Sequence, residues 1–260
     1  MKSLIYLLTF LLILIGCSKD GDLLNSTVSD KPSAMNVFCQ KTPNDTIRRI
    51  TYEYDNDNLM TESNFYNGDI QERTTYEYNT DNQLILETYE TFLRKTVKSY
   101  IYNELSQLIN IIYLSIDYDS NGQTEAINES EAPREYENNQ LVKEWHSWGG
   151  FNTYEYSNGN VVNKVEYTRN GDRHHITTYK YLKDFLIEEK KETRLGSLIF
   201  LKTYTYDSKN RLIQIRDKEN NLIEERHYIN NNLIEKRTYY FGIDPGFDRC
   251  YGNYIYRYEY

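Results

Sequence analysis

Asp117, Asp119, Asn121 and Gly122, in the stretch DYDSNGQTE, fill the first, third, fifth and sixth places of a calcium-binding loop. A divalent ion there takes oxygen ligands at alternating positions. The twelfth place should supply a bidentate acid but holds Asn128, and Glu129 falls one residue late. The same stretch also reads as a polar turn between two strands. Trp145, His146, Trp148 and Phe151 gather beside Gly149-Gly150, and both tryptophans of the chain lie among them. Their ring faces could stack on a sugar or a protein partner, or pack on one another under a glycine turn. His174 and His175 are adjacent, so in a strand they point to opposite faces and do not chelate a metal together. His227 stands alone. No Cys-x-x-Cys or His-Glu-x-x-His spacing occurs, and no serine or cysteine has a nucleophile's local context. The expectation is a chain that is not an enzyme, with no cofactor, no catalytic residue and no metal apart from that calcium candidate.

The elements that would position these residues are repetitive. TYEYDNDNLM from Thr51 returns as TYEYNTDNQL from Thr75, TYEYSNGNVV from Thr153 and TYTYDSKNRL from Thr203. The second tyrosine of each pair falls at Tyr54, Tyr78, Tyr102, Tyr156, Tyr181 and Tyr206. The steps are 24 or 25 residues, except for one of 54 that holds two degenerate copies marked by Tyr118 and Tyr136. Tyr-x-Tyr is period-two alternation, which places both rings on one face of a strand. Asp, Asn, Ser and Gly follow and make a turn, because they tolerate left-handed backbone and bond their own main chain. Leu-Ile-x-Glu or a variant then starts the return strand, and Asn67-Gly68 or Asn170-Gly171 closes a unit with a strong hairpin signal. The predicted fold is all-β: a repetitive antiparallel meander of stacked hairpins, roughly sixteen to eighteen strands, in a twisted or rolled open sheet. Tyrosine suits such a thin sheet, where one end of the ring is dry and the hydroxyl reaches water.

Bulk properties agree. The chain of 260 residues is 39% hydrophobic with 27 tyrosines, too aromatic for a disordered polymer. A net charge of −9 without a basic patch excludes a nucleic-acid partner. The N-terminus is a processing segment, with one lysine and an apolar run from Leu4 to Ile15 that is too short to span a bilayer. Leu14-Ile15-Gly16-Cys17 resembles the bacterial lipobox. The resemblance implies cleavage before Cys17 and a lipid on its sulfur, with several acyl chains holding the protein to a membrane. Ser18 follows in place of the aspartate that retains lipoproteins at the inner membrane. The expected location is therefore the bacterial outer membrane, lipid-anchored and on the cell surface. The expected organisation is a signal peptide over 1–16, a lipidated flexible tether over 17–46 and a repeat domain over 47–260. Cys39 and Cys250 remain as a disulfide candidate, which a rolled sheet would permit and a flat one would not.

Tyr204-Thr205-Tyr206-Asp207 with Arg211-Leu212 resembles the YD repeat of RHS-type bacterial cell-surface proteins, and the likeness runs at repeat level from about Ile50 to Tyr240. Units such as Phe65-Tyr66-Asn67-Gly68 are also similar to MORN-like repeats of antitoxins and lipoproteins. In RHS proteins long arrays form a shell around a C-terminal toxin; only 14 residues follow Gly246 here. The expectation is a lipid-anchored surface repeat protein, a non-catalytic binding or structural module whose partner, from the Trp145/Trp148 cluster and the acidic outer face, is a glycan or a neighbouring surface protein. An antitoxin-like immunity lipoprotein at the envelope is the alternative it leaves open.

Overall fold

The computed structural model describes residues 31–39, 42–239 and 253–260. It contains nineteen strands, all paired antiparallel. In chain order they are β1 (Ala34–Cys39), β2 (Thr42–Asp55), β3 (Asn58–Tyr66), β4 (Asp69–Tyr78), β5 (Leu84–Thr91) and β6 (Arg94–Tyr102). Next come β7 (Leu108–Tyr118), β8 (Thr124–Glu131), β9 (Arg134–Glu137), β10 (Gln140–Trp145), β11 (Phe151–Ser157) and β12 (Asn160–Tyr167). The rest are β13 (Arg173–Leu182), β14 (Phe185–Thr193), β15 (Leu198–Tyr206), β16 (Leu212–Arg216), β17 (Leu222–Ile229), β18 (Asn232–Thr238) and β19 (Tyr254–Glu259). Among the described residues no helix is long and apolar enough to cross a membrane.

Two turn chemistries join the strands. Short hairpins use Asn at positive φ, as at Asn67-Gly68 (φ 52° and 92°) and Asn158-Gly159 (51° and 82°), the twist that right-handed strands require. Longer turns span five residues. In Asp207–Arg211 the first amide bonds the last carbonyl (2.9 Å), and Asp207 Oδ1 accepts the amides of Lys209 (2.8 Å) and Arg211 (3.0 Å). Asn210 takes φ 63°. Asn79–Gln83, Asn103–Gln107, Asp119–Gln123 and Asp217–Asn221 repeat these bonds. The side chain of the first residue thus builds the turn that its backbone alone leaves open.

The tyrosines do more than fill a half-wet face. A bulge precedes the second ring of a pair at Glu53/Tyr54, Glu77/Tyr78, Glu155/Tyr156 and Thr205/Tyr206. Successive units then splay apart. The β3–β4 ladder stops at Thr61↔Thr75, and beyond it the Tyr78 hydroxyl donates to the Leu59 carbonyl (3.1 Å). Tyr102 to Leu84 (2.9 Å), Tyr156 to Leu141 (2.9 Å), Tyr206 to Leu186 (3.0 Å) and Tyr228 to Leu212 (3.1 Å) repeat the bond. Tyr136 makes it to Leu108 (2.9 Å), whereas Tyr118 ends β7, a strand running the opposite way. Of the two markers expected in the long gap, only Tyr136 carries the repeat bond. Phenylalanine would leave each leucine carbonyl without this partner.

The residue between the two tyrosines is exposed in each of Glu53, Glu77, Glu155, Lys180 and Thr205, so the paired rings face the opposite, inner side. That side also carries half-buried ion pairs, and bulges bend the sheet around it.

One expected boundary shifts. The tether was placed as far as residue 46, but Ala34–Cys39 is already a strand and is largely buried. Its register explains why: β1 pairs with β2 on one side and with β19 on the other (Met35↔Ile50 and Met35↔Tyr258). Met35, Val37 and Ile50 form the hydrophobic core there, packed by Tyr52, Tyr254, Tyr256 and Tyr258. The ends of the meander therefore meet on β1. Ladders run without interruption from β8 back through β2 to β1, then from β19 back to β9. None joins β8 to β9, so the sheet is open there, and the chain itself crosses the opening at Ala132-Pro133.

Candidate functional site

β10 and β11 carry the aromatic residues that the sequence brings together. Trp145 pairs with Phe151, and Phe151 with Tyr167 on β12, so three rings stand on adjacent strands and one face. Their centroids are 6.3 Å and 4.5 Å apart, the second pair stacked at 13°. The Lys143 ammonium lies over Trp145 (4.0 Å) and Phe151 (4.4 Å), capping both. The turn between the strands, His146–Gly150, has the five-residue form: His146 N to Gly150 O and Gly149 N to His146 O, both 2.8 Å. The His146 ring does not bond the turn's amides as aspartate does in the other turns. Instead its ring stacks on Trp148 at 5.1 Å and 11°, and Trp148 remains 59% exposed.

Each glycine makes room for this packing. Gly149 sits at φ +94° under the stem of Arg169, and a Cβ on Gly150 would lie 1.9 Å from the Trp148 ring. The indole rests on bare backbone. All four sequence-predicted residues thus come together, as a ladder (Trp145, Phe151) and an open tip (His146, Trp148). Tyr167 was missed by sequence reading because its place beside Phe151 follows from strand register, which local spacing does not encode.

Behind the ladder, on the inner face, Glu144 accepts from Asn152 Nδ2 (3.0 Å) and from the Tyr154 hydroxyl, with Arg134 Nε at 3.5 Å. Burial pushes the Glu144 carboxyl up, but those bonds and the arginine's charge outweigh it and hold the group below the usual range. Next to it Glu166 bonds Lys191 (2.8 and 3.0 Å) and His175 Nδ1 (3.0 Å). These pairs fix the strands that carry the rings.

At the calcium candidate the side chains build a turn. Asp119 Oδ1 receives the amides of Asn121 (2.9 Å) and Gln123 (2.7 Å). Asp117 instead bonds Arg94 Nε (2.6 Å) at the edge of a 540 Å³ cavity lined by Tyr89, Thr91 and Tyr118. Among the described residues no three His, Cys, Asp or Glu side chains gather as metal ligands. His174 and His175 differ from expectation: their rings lie 3.7 Å apart, because a bulge at Glu166/Tyr167 breaks strict alternation beside them. Exposed His227 reaches Glu225 (3.3 Å). Cys39 is disulfide-bonded and stands opposite Tyr254 in the register; Cys250 and the lipidation candidate Cys17 lie outside the described residues.

No protein-family model matches the chain, and no curated protein matches it. Among solved structures it is similar to the TcdB2-TccC3-Cdc42 complex (13% identity, TM-score 0.30, covering 76% of this chain and 12% of that one). TcdB2-TccC3 gives 13% identity and TM-score 0.29, over 74% of this chain and 12% of that one. The chain thus spans about an eighth of the length of these two (12% in each case). A porin-like protein from Bacteroides uniformis gives 12% identity and TM-score 0.35, over 72% of this chain and 96% of that one. At these scores none of the likenesses defines the architecture, which rests on the strand pairing itself.

Proposed function

We propose that this chain is a lipid-anchored, non-catalytic binding module of the bacterial outer envelope, and that its tip receives a glycan. The observation that carries the reading is the aromatic ladder on three adjacent strands, continued by an open tryptophan at the tip. A sugar ring presents an apolar C–H face, which an indole face accommodates while the hydroxyls stay wet. Lys143 covers the Trp145 and Phe151 faces and supplies donors there, so the exposed Trp148 is the face left for the sugar. The anchor is supported by Leu14 to Cys17 and by the polar stretch after it.

The test is a glycan array followed by calorimetry on any hit. Losing one stacking face removes ~0.5–1.5 kcal/mol, so Trp148→Ala should weaken binding up to about tenfold. Trp145→Ala with Trp148→Ala should abolish it. Unchanged affinity in the double variant would refute the reading.

A further inference from the structure

Among the described residues, β8 has a neighbouring strand on one side alone. Ile111 and Ala132 exchange both main-chain bonds (3.2 and 2.9 Å), so the peptide groups of Ala132 face β7. By alternation those of Ser130, Asn128 and Ala126 do too. The N–H and C=O groups of Ile127, Glu129 and Glu131 therefore point away from β7, up to the bulge at Glu125. On that side the next strand has already ended. Trp145 N bonds Pro133 O (2.9 Å), and the chain then folds into the His146–Gly150 turn at the foot of β8. Three residues present unbonded peptide groups along roughly 17 Å of extended chain. Seven of the eight residues of β8 are exposed, which no fully paired strand of this sheet matches.

We propose that this free edge is a strand-addition site for an extended basic segment of a partner protein, one with Lys or Arg alternating about an apolar residue. The occupant's character follows from the side chains. Ile127, Glu129 and Glu131 share one face by the period of two, and Ile127 is 65% exposed. An added strand sets its own side chains directly opposite these, where unlike charges stabilise and like charges oppose pairing. A second copy of this chain is disfavoured on the same ground, since antiparallel β8 on β8 about Glu129 sets that acid against its own copy. The acids thus guard the edge against self-pairing while leaving it open to a basic strand.

The experiment uses the full chain and three labelled octapeptides, read by fluorescence anisotropy. One alternates Lys and Thr around a central Val. A second is N-methylated at the bonding positions, and a third has Glu for Lys. The first should bind, and the other two at least about tenfold more weakly. Ile127→Pro removes an N–H that β7 does not use and should abolish binding, with circular dichroism confirming the sheet. In the second variant, E129K/E131K, preference should reverse to the acidic peptide. Equal binding of the N-methylated peptide, indifference to Ile127→Pro in a folded chain, or failure of any peptide to bind would each overturn the proposal. So would a dimer in sedimentation that Ile127→Pro dissolves.

Discussion

Tyrosine is chosen over phenylalanine at the second position of each pair because its hydroxyl meets a backbone carbonyl that the splayed ladder leaves behind. Tyr206→Phe keeps the ring and deletes only the bond to Leu186 O. A net hydrogen bond contributes ~1 kcal/mol, and an orphaned acceptor costs a similar amount or more. The variant should therefore lose about 1–2 kcal/mol in urea unfolding with an unchanged m-value. A loss no larger than that of an exposed substitution such as Thr205→Ser would show that the bond is decorative. Position and period of these rings were legible in the sequence. The partner was not, since Leu186 lies twenty residues away and its carbonyl is left over only because of a bulge.

At the scale of elements, the tip hairpin shows how a turn can be specialised without changing its backbone. Most five-residue turns begin with Asp or Asn and close on that side chain; His146–Gly150 keeps the backbone bonds and spends its side chains on an exposed stack. Gly150→Ala brings a Cβ into the Trp148 ring, whose far edge is free to swing into solvent. Stability should change little. Indole fluorescence should shift to the red, and any glycan affinity should fall toward that of Trp148→Ala. A cost of several kcal/mol would mean instead that the turn backbone, not the ring, had to move. Turn residues announced this hairpin, and the tryptophan pair marked it as a candidate. The ladder's third ring on β12 depended on register. Pro133 was the available signal for the interruption between β8 and β9, since a proline cannot donate to a ladder and sits at edges or bulges.

For the molecule as a whole, a single layer rolled around half-buried phenols makes stability sensitive to alkali. Burial, then the charges of Glu62 and Glu189, push Tyr76 and Tyr179 up to about 12. Tyr52, Tyr100, Tyr154 and Tyr204 are raised for the same first reason. A folded pKa above the unfolded value of 10.0 means that the contribution is fully present below pH 10 and disappears as pH rises toward 12. Tyrosinate absorbance should lag that of the denatured chain, and the sheet should unfold across this window. Ordinary titration of all phenols with the circular dichroism intact would contradict the inward placement. The all-β hairpin array was readable from period alone, but the role of Ala34–Cys39 was not. Its six residues carry no repeat motif, and pairing with both β2 and the returning β19 gives them a place.

That return has a kinetic consequence. Most ladders join strands a few residues apart and can zip as local hairpins within microseconds. The bond between Ser33 and Glu259 spans 226 positions, and drawing so long a loop shut opposes folding by on the order of 5 kcal/mol if nothing precedes it. Growing the array hairpin by hairpin shortens that loop before the termini meet. The final stitch should then be the slowest event, arriving only after the last strand has left the ribosome.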